Sequence, residues 1–266
     1  MSNQVDPTDK CTFLVVTGAS RGIGQQIAIQ TAQKLKDPSI VVLLARSLEG
    51  LEHTKAEILK TNPNLYVVCK PIDLTKPTAE ELHEVLFNAF HAICDNKFDL
   101  AMIVHNVGTI GNVGQSAKQV ENYEVLQDYY SVNVYAPIVL NTQFLKIIPS
   151  TFPRLIANIT SKAAIFPMKS CSFYCAGKSA REMYFRVLAE EEKDNIVTVL
   201  NYSPGPIETE MTVEMQANSC DASMVEYFKN LRDTKTILTT EGTTTKFLEI
   251  LACGKFTTGD RVDYYD

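Results

Sequence analysis

Tyr174 and Lys178 stand four residues apart in Ser172-Phe173-Tyr174-Cys175-Ala176-Gly177-Lys178-Ser179-Ala180, a spacing that puts both side chains on one face of a helix. A phenol with an ordinary pKa of about 10 is a poor acid at neutral pH. A lysine cation about 4 Å away, at an effective dielectric of roughly 20, contributes about 4 kcal/mol toward the phenolate. The pair is therefore suited to moving a proton at a substrate oxygen, although the same spacing also occurs in purely structural helices. Ser161 follows the apolar run Leu155-Ile156-Ala157-Asn158-Ile159-Thr160. At the carboxyl end of a strand its hydroxyl can hold a carbonyl oxygen or simply cap a turn.

A second chemical signal lies near the start of the chain. The strand-like run Cys11-Thr12-Phe13-Leu14-Val15-Val16 passes into Thr17-Gly18-Ala19-Ser20-Arg21-Gly22-Ile23-Gly24 and then a helical pattern. Glycines there permit a tight turn and a close backbone approach to a pyrophosphate, while the helix N-terminus offers unpaired N–H groups to it.

Positioning these residues requires alternating elements. Short Val-, Ile- and Leu-rich runs predict strands at Thr12–Thr17, Ile40–Ala45, Leu65–Lys70, Leu100–His105, Arg154–Thr160, Ile196–Asn201 and Arg261–Tyr264. Helical patterns fall at Gly22–Lys36, Glu49–Lys60, Ala79–Cys94, Asn122–Ile148, Phe173–Glu192 and Glu241–Cys253. Right-handed crossovers at each step give a doubly wound, Rossmann-type α/β fold: one domain over 1–266 with a mostly parallel seven-stranded sheet and helices on both faces. The less periodic, polar stretch at about 208–236 is the expected lid over a ligand, and about 256–266 the expected substrate-contacting end.

Composition narrows the partners. With 25 Lys+Arg against 31 Asp+Glu the net charge is -6, which works against general affinity for nucleic acid or an anionic membrane. No apolar run approaches the roughly 20 residues that span a bilayer, and the opening MSNQVDPTDK holds two Asp and a Pro instead of a basic and then apolar leader. A cytoplasmic protein is expected. Seven cysteines, Cys11, Cys69, Cys94, Cys171, Cys175, Cys220 and Cys253, are scattered singly and suit free thiols. The four histidines, His53, His83, His91 and His105, lie far in sequence from the Cys171–Cys175 pair, so no metal site is expected.

The glycine spacing TGxxxGxG, together with Tyr174 and Lys178, resembles the short-chain dehydrogenase/reductase family, whose members bind nicotinamide dinucleotides. In an NAD-preferring site of this fold an acidic residue ends the second strand and bonds the ribose. Here Leu43-Leu44-Ala45-Arg46-Ser47 puts Arg46 in that place. With Arg21 in the glycine turn, two guanidinium groups suit a 2′-phosphate, so NADPH/NADP+ is the expected cofactor; two solvated surface arginines are the alternative. The resemblance implies further cofactor contacts at Asp73 and Leu74, at Asn106, and along Ile207-Glu208-Thr209-Glu210-Met211-Thr212, with Thr209 toward the carboxamide. His105 and Val107 depart from the family's Asn-Asn-Ala-Gly string, whereas Gly108 keeps it. The resemblance also assigns Asn133 to a catalytic tetrad with Ser161, Tyr174 and Lys178, as a bend holding a proton-relay water; a satisfied core amide is the alternative.

A narrower resemblance, to the branch of the family that reduces pterin side-chain carbonyls in tetrahydrobiopterin synthesis, spreads from Thr17 to Asp266. It is carried by Tyr174-Cys175-Ala176-Gly177-Lys178-Ser179-Ala180-Arg181-Glu182-Met183, Leu200-Asn201-Tyr202-Ser203-Pro204-Gly205-Pro206 and Val262-Asp263-Tyr264-Tyr265-Asp266. It implies that Asp263 anchors the pterin ring, and a carboxylate can accept the adjacent N–H donors of a 2-aminopyrimidinone edge in bidentate fashion. Gly205, Ser161 and Lys162 would border the same pocket, with Met211, Met215 and Phe228 as its wall or as core. A broad carbonyl or diketone reductase and a non-catalytic NADPH sensor are the competing functions. The family resemblance implies association through the helices at Asn122–Ile148 and Phe173–Glu192, so a homodimer is expected, with a tetramer as the alternative.

Overall fold

The computed structural model describes residues 5–93, 97–192 and 196–266. Seven strands, β1 (Cys11–Thr17), β2 (Lys36–Ala45), β3 (Tyr66–Pro71), β4 (Leu100–His105), β5 (Arg154–Ile159), β6 (Val197–Ser203) and β7 (Arg261–Asp263), form one sheet in the order β3-β2-β1-β4-β5-β6-β7. Every pairing is parallel. β1 and β4 are buried along their whole length, because a parallel sheet covered on both faces leaves no polar side to alternate.

The helices are α1 (Gly22–Ala32), α2 (Leu48–Thr61), α3 (Ala79–Phe90), α4 (Tyr123–Tyr130), α5 (Ala136–Ile147), α6 (Ser172–Glu191), α7 (Glu210–Asn218), α8 (Ala222–Asp233) and α9 (Thr240–Cys253). Leu14, Val16, Val41 and Leu43 pack with Ile27, Leu51 and Phe247 on one face of the sheet. Phe13, Val15, Ile40 and Val42 pack with Leu86, Leu140 and Phe185 on the other. The doubly wound architecture expected from the alternation is therefore present.

Three helices differ from expectation. The segment expected as one helix over Asn122–Ile148 is α4 and α5 joined by a π-turn at Ser131–Tyr135. The helix expected to reach Lys36 stops at Ala32, since Lys36 already pairs with Cys11 as the first residue of β2. The helix expected to end at Cys94 runs Ala79–Phe90, and Cys94 lies outside the described residues. The 208–236 interval folds as α7 and α8.

Candidate active site

β1 lies between β2 and β4, and the connections into those two strands, α1 after β1 and α3 after β3, run on opposite faces, so a crevice opens at the carboxyl ends of the strands. A groove of about 1140 Å³ occupies that crevice, running from Gly18, Ser20 and Gly22 past Arg46 and Asp73 to Asn106 and Thr209. Gly22 has φ +61 and nothing within 4 Å of where a Cβ would sit, so its backbone faces open groove. Gly24 does a different job: a Cβ there would lie 2.4 Å from the Gly18 carbonyl oxygen, so only glycine lets α1 close on the turn. No side chain caps α1, whereas hydroxyl or carboxamide groups cap α2, α3, α4, α7 and α9. The first N–H groups of α1 therefore point, uncapped, toward the place where a phosphate fits.

The other expected cofactor residues divide. Ile23, Ser47, Leu74, Glu208, Glu210 and Met211 line the groove. Ala19 and Ile207 are buried, and the Ala19 carbonyl accepts from Thr54 Oγ1 at 2.8 Å. Thr209 and Thr212 cap α7 reciprocally, so the Thr209 hydroxyl is engaged within the chain. Asp73 accepts from the backbone N–H and hydroxyl of Thr75, which holds its carboxyl below the ordinary range. Asn106 donates to the Thr17 carbonyl at 3.0 Å and fixes the start of the glycine turn. Arg21 reaches over the groove to form an ion pair with Glu210.

α6 carries Tyr174 and Lys178, both buried and neither of them part of the groove's lining. The Lys178 ammonium donates to the Ile159 carbonyl at 2.7 Å, two residues before Ser161 in the chain, and lies 5.6 Å from the centre of the Tyr174 ring. Ser161 follows β5 and accepts from the Ala163 N–H at 3.2 Å. Burial raises the Tyr174 pKa, against hydrogen bonding from Ser161 and the nearby Arg181 cation, which lower it. Burial, then Arg181, lowers Lys178 well below its usual value, while Glu182 raises it. The sequence predicts that Lys178 drives the phenol toward phenolate; in the structure burial raises the phenol, and Ser161 and Arg181 are what pull it down.

Asn133 sits in the π-turn. Its side chain donates to the Tyr129 carbonyl at 2.9 Å and accepts from the Thr109 N–H at 2.9 Å, so it ties the turn to the segment after β4. Sequence reasoning missed Arg181, the largest fully buried side chain. Its guanidinium donates to Asn158 Oδ1 at 2.7 Å, to the Val107 carbonyl at 2.8 Å and to the His105 carbonyl, with a longer contact to the Asn133 carbonyl at 3.5 Å. It thereby binds the ends of β4 and β5 to the π-turn at the two positions where the 105–108 string is unusual. The signal was available: 174, 178, 181 and 185 share one helix face, and an arginine on that face has no route to solvent.

Around the residues expected to meet a substrate, Tyr174 shares an apolar cluster with Ile110, Met215 and Phe228, and Met211 packs against it. Lys162 is exposed, with its ammonium 5.0 Å from the centre of the Phe166 ring. Gly205 has φ +80, and a Cβ there would lie 3.7 Å from that of Tyr264, which places it beside the C-terminal segment. Asp263 pairs with Ser203 at the end of β6, and Arg261 grips its carboxylate through Nε at 3.0 Å and Nη2 at 3.2 Å. The same guanidinium donates to the Ser161 carbonyl at 3.0 Å and to Glu182 at 2.8 Å. Arg261 and Glu182 were also missed.

Six cysteines, all but Cys94, are free thiols. Among the described residues no three His, Cys, Asp or Glu side chains group as they would around a metal ion. None of the described helices is long and apolar enough to cross a membrane.

Comparison with known proteins agrees with this geometry. The short chain dehydrogenase family profile matches residues 12–219. A sepiapterin reductase of Xenopus tropicalis is 32% identical over 254 residues, covering 95% of each chain. A benzil reductase, (S)-benzoin forming, of Bacillus subtilis strain 168 is 29% identical over 225 residues, covering 83% of this chain and 85% of its own. Among solved structures, a short chain dehydrogenase of Shigella flexneri complexed with NADP superposes with a TM-score of 0.78 at 22% identity, covering 98% of this chain and all of that one.

Proposed function

The chain belongs to the short-chain dehydrogenase family of oxidoreductases, and we propose that it reduces the side-chain carbonyl of a pterin with NADPH, as in the last steps of tetrahydrobiopterin synthesis. The observation that carries the reading is the linkage of Asp263 through one guanidinium to the backbone of Ser161. It joins a carboxylate suited to a 2-aminopyrimidinone edge to the hydroxyl suited to the carbonyl, within one hydrogen-bonded network.

The uncapped α1 terminus and the Gly18–Gly24 turn would hold the pyrophosphate, Arg21 and Arg46 the 2′-phosphate, and Lys178 the nicotinamide ribose. A bound nicotinamide dinucleotide supplies the hydride that reduces the carbonyl carbon. Ser161 orients the carbonyl oxygen toward Tyr174. Burial keeps the Tyr174 phenol protonated at neutral pH, which a proton donor requires. Hydrogen bonding from Ser161 and the field of Arg181 favour the phenolate left after transfer. Asn133 keeps the π-turn in place beside Lys178, where a relay water would return the proton.

α7 and α8 would act as the lid, with Arg21 exchanging Glu210 for the cofactor phosphate as the groove fills. We place the protein in the cytoplasm as a homodimer joined through α4, α5 and α6. Substituting Asp263→Ala tests the pterin reading: sepiapterin turnover falls while NADPH affinity is kept, and equal loss of both, or of neither, contradicts it. A broad diketone reductase is the second reading, favoured by the benzil reductase relative and by the apolar wall around Tyr174; a diketone outperforming sepiapterin would establish it.

A further inference from the structure

We propose that Arg261 is a specificity-determining positioning residue: it fixes the Asp263 carboxylate by both oxygens, so that the remaining lone pairs are presented, pre-organised, to a substrate bearing adjacent N–H donors. The proposal rests on the reading of Asp263 as the substrate anchor.

β7 is only three residues long, and positions 261 and 263 of a strand project to the same side. Their side chains therefore meet without any loop to hold them, and the fork of Arg261 lies along the carboxylate in the two-point geometry that a lysine cannot reproduce. The grip is braced from behind. Arg261 Nη1 donates to Glu182 and to the Ser161 carbonyl, and Glu182 also accepts from the Thr160 hydroxyl at 2.5 Å. The exposure of these side chains falls inward, from 31% at Asp263 through 13% at Arg261 to 5% at Glu182. The guanidinium and its inner partner are thus fixed, while the carboxylate keeps an open side.

Three consequences follow from that arrangement. Each Asp263 oxygen spends one acceptor site on Arg261 and retains capacity for a donor from the substrate. The carboxylate loses little freedom on binding, because its rotamer is already held. One cation against two carboxylates leaves a net charge of -1, which favours neutral donor edges over anionic substrates. A diketone without N–H groups would gain nothing from this device, so Arg261 separates the two candidate substrate classes.

The experiment measures kcat and KM with NADPH for sepiapterin and for benzil in the wild type, Asp263→Ala, Arg261→Lys, and the double variant Arg261→Met with Glu182→Gln. The double variant removes the buried charge together with its partner and so guards against a simple folding defect. For both Arg261 proteins, kcat/KM for sepiapterin falls about tenfold relative to that for benzil, mainly through KM, the scale of one lost charge-assisted hydrogen bond. Loss of pterin affinity in Asp263→Ala with an unchanged substrate ratio in both Arg261 proteins overturns the proposal and leaves the anchor standing. An unchanged sepiapterin KM in Asp263→Ala overturns the anchor and this inference with it. Equal losses for both substrates in the Arg261 proteins make Arg261 structural and also overturn it.

Discussion

Tyr174 shares its surroundings with Ala163, Cys171, Met215 and Phe228, and this apolar enclosure, more than any neighbouring charge, sets its titration. The proton-donor role proposed for Tyr174 predicts that Tyr174→Phe abolishes turnover at any pH while binding NADPH as tightly as the wild type in a fluorescence titration. An active Phe variant would remove Tyr174 from the chemistry. Arg46, beside Asp73 in the groove, predicts the cofactor. The ratio of kcat/KM for NADPH over NADH falls at least tenfold in Arg46→Asp, the scale of a lost charge-assisted phosphate contact. An unchanged ratio would return Arg46 to the surface. Tyr174, Lys178, Ser161 and the glycine turn were legible because their chemistry needs fixed residue types at fixed spacing. Arg261 and Glu182 were not, because charged residues default to solvent and only three-dimensional packing shows them buried; Arg181 was marked only by sharing the helix face of Tyr174 and Phe185.

At the scale of elements, the sequence pattern located all seven strands; continuous Val, Ile and Leu runs mark central strands such as β1 and β4 as covered on both faces, whereas β3 and the three-residue β7 are only partly buried. It could not show the break between α4 and α5. Apolar periodicity runs through Ser131–Tyr135, and the extra residue of a π-turn leaves only a phase slip. Asn133 is the part of that turn with separable consequences. In Asn133→Ala the Thr109 N–H and the Tyr129 carbonyl both lose partners, at a cost of about 1–3 kcal/mol by urea unfolding. Wild-type stability in that variant would show that the π-turn needs no side-chain support. At the other end of the groove, Gly24→Ala drives a Cβ into the Gly18 carbonyl and should cost stability, whereas Gly22→Ala, at φ +61 with its Cβ in the groove, should act mainly by weakening NADPH binding. Equal losses of stability by urea unfolding in the two variants would contradict the separate roles of the two glycines.

For the molecule as a whole, the net charge of -6 describes the surface and conceals the local basic pair Arg21 and Arg46. Acid stability follows from a group deeper in the core. His105 is buried on Phe185, with Nε2 bonded to Asn141 and Nδ1 without a hydrogen-bond partner among the described residues. Burial, then Arg181, pushes its pKa down to about 3. Unfolded His titrates near 6.5, so between about pH 6.5 and 3 the unfolded chain binds one proton more than the folded one. Stability from this group is complete above that window and is lost as pH falls through it, at about 1.4 kcal/mol per unit. From pH 6.5 to 5 the wild type therefore loses about 2 kcal/mol more than His105→Gln; parallel losses would contradict the burial of a neutral imidazole. On the outside, Tyr135, Met183 and Val187 are about half exposed. Light scattering should find a dimer that Met183→Glu with Val187→Glu converts to monomer, and an unchanged mass would remove α6 from the interface.

The central claim is tested most directly by the wild-type protein itself: NADPH oxidation followed at 340 nm with sepiapterin, beside benzil and small diketones. The pterin reading predicts that kcat/KM for sepiapterin exceeds that for every diketone by at least tenfold. A diketone that matches or exceeds sepiapterin would contradict it and leave a general carbonyl reductase built on the same Tyr174 and Lys178.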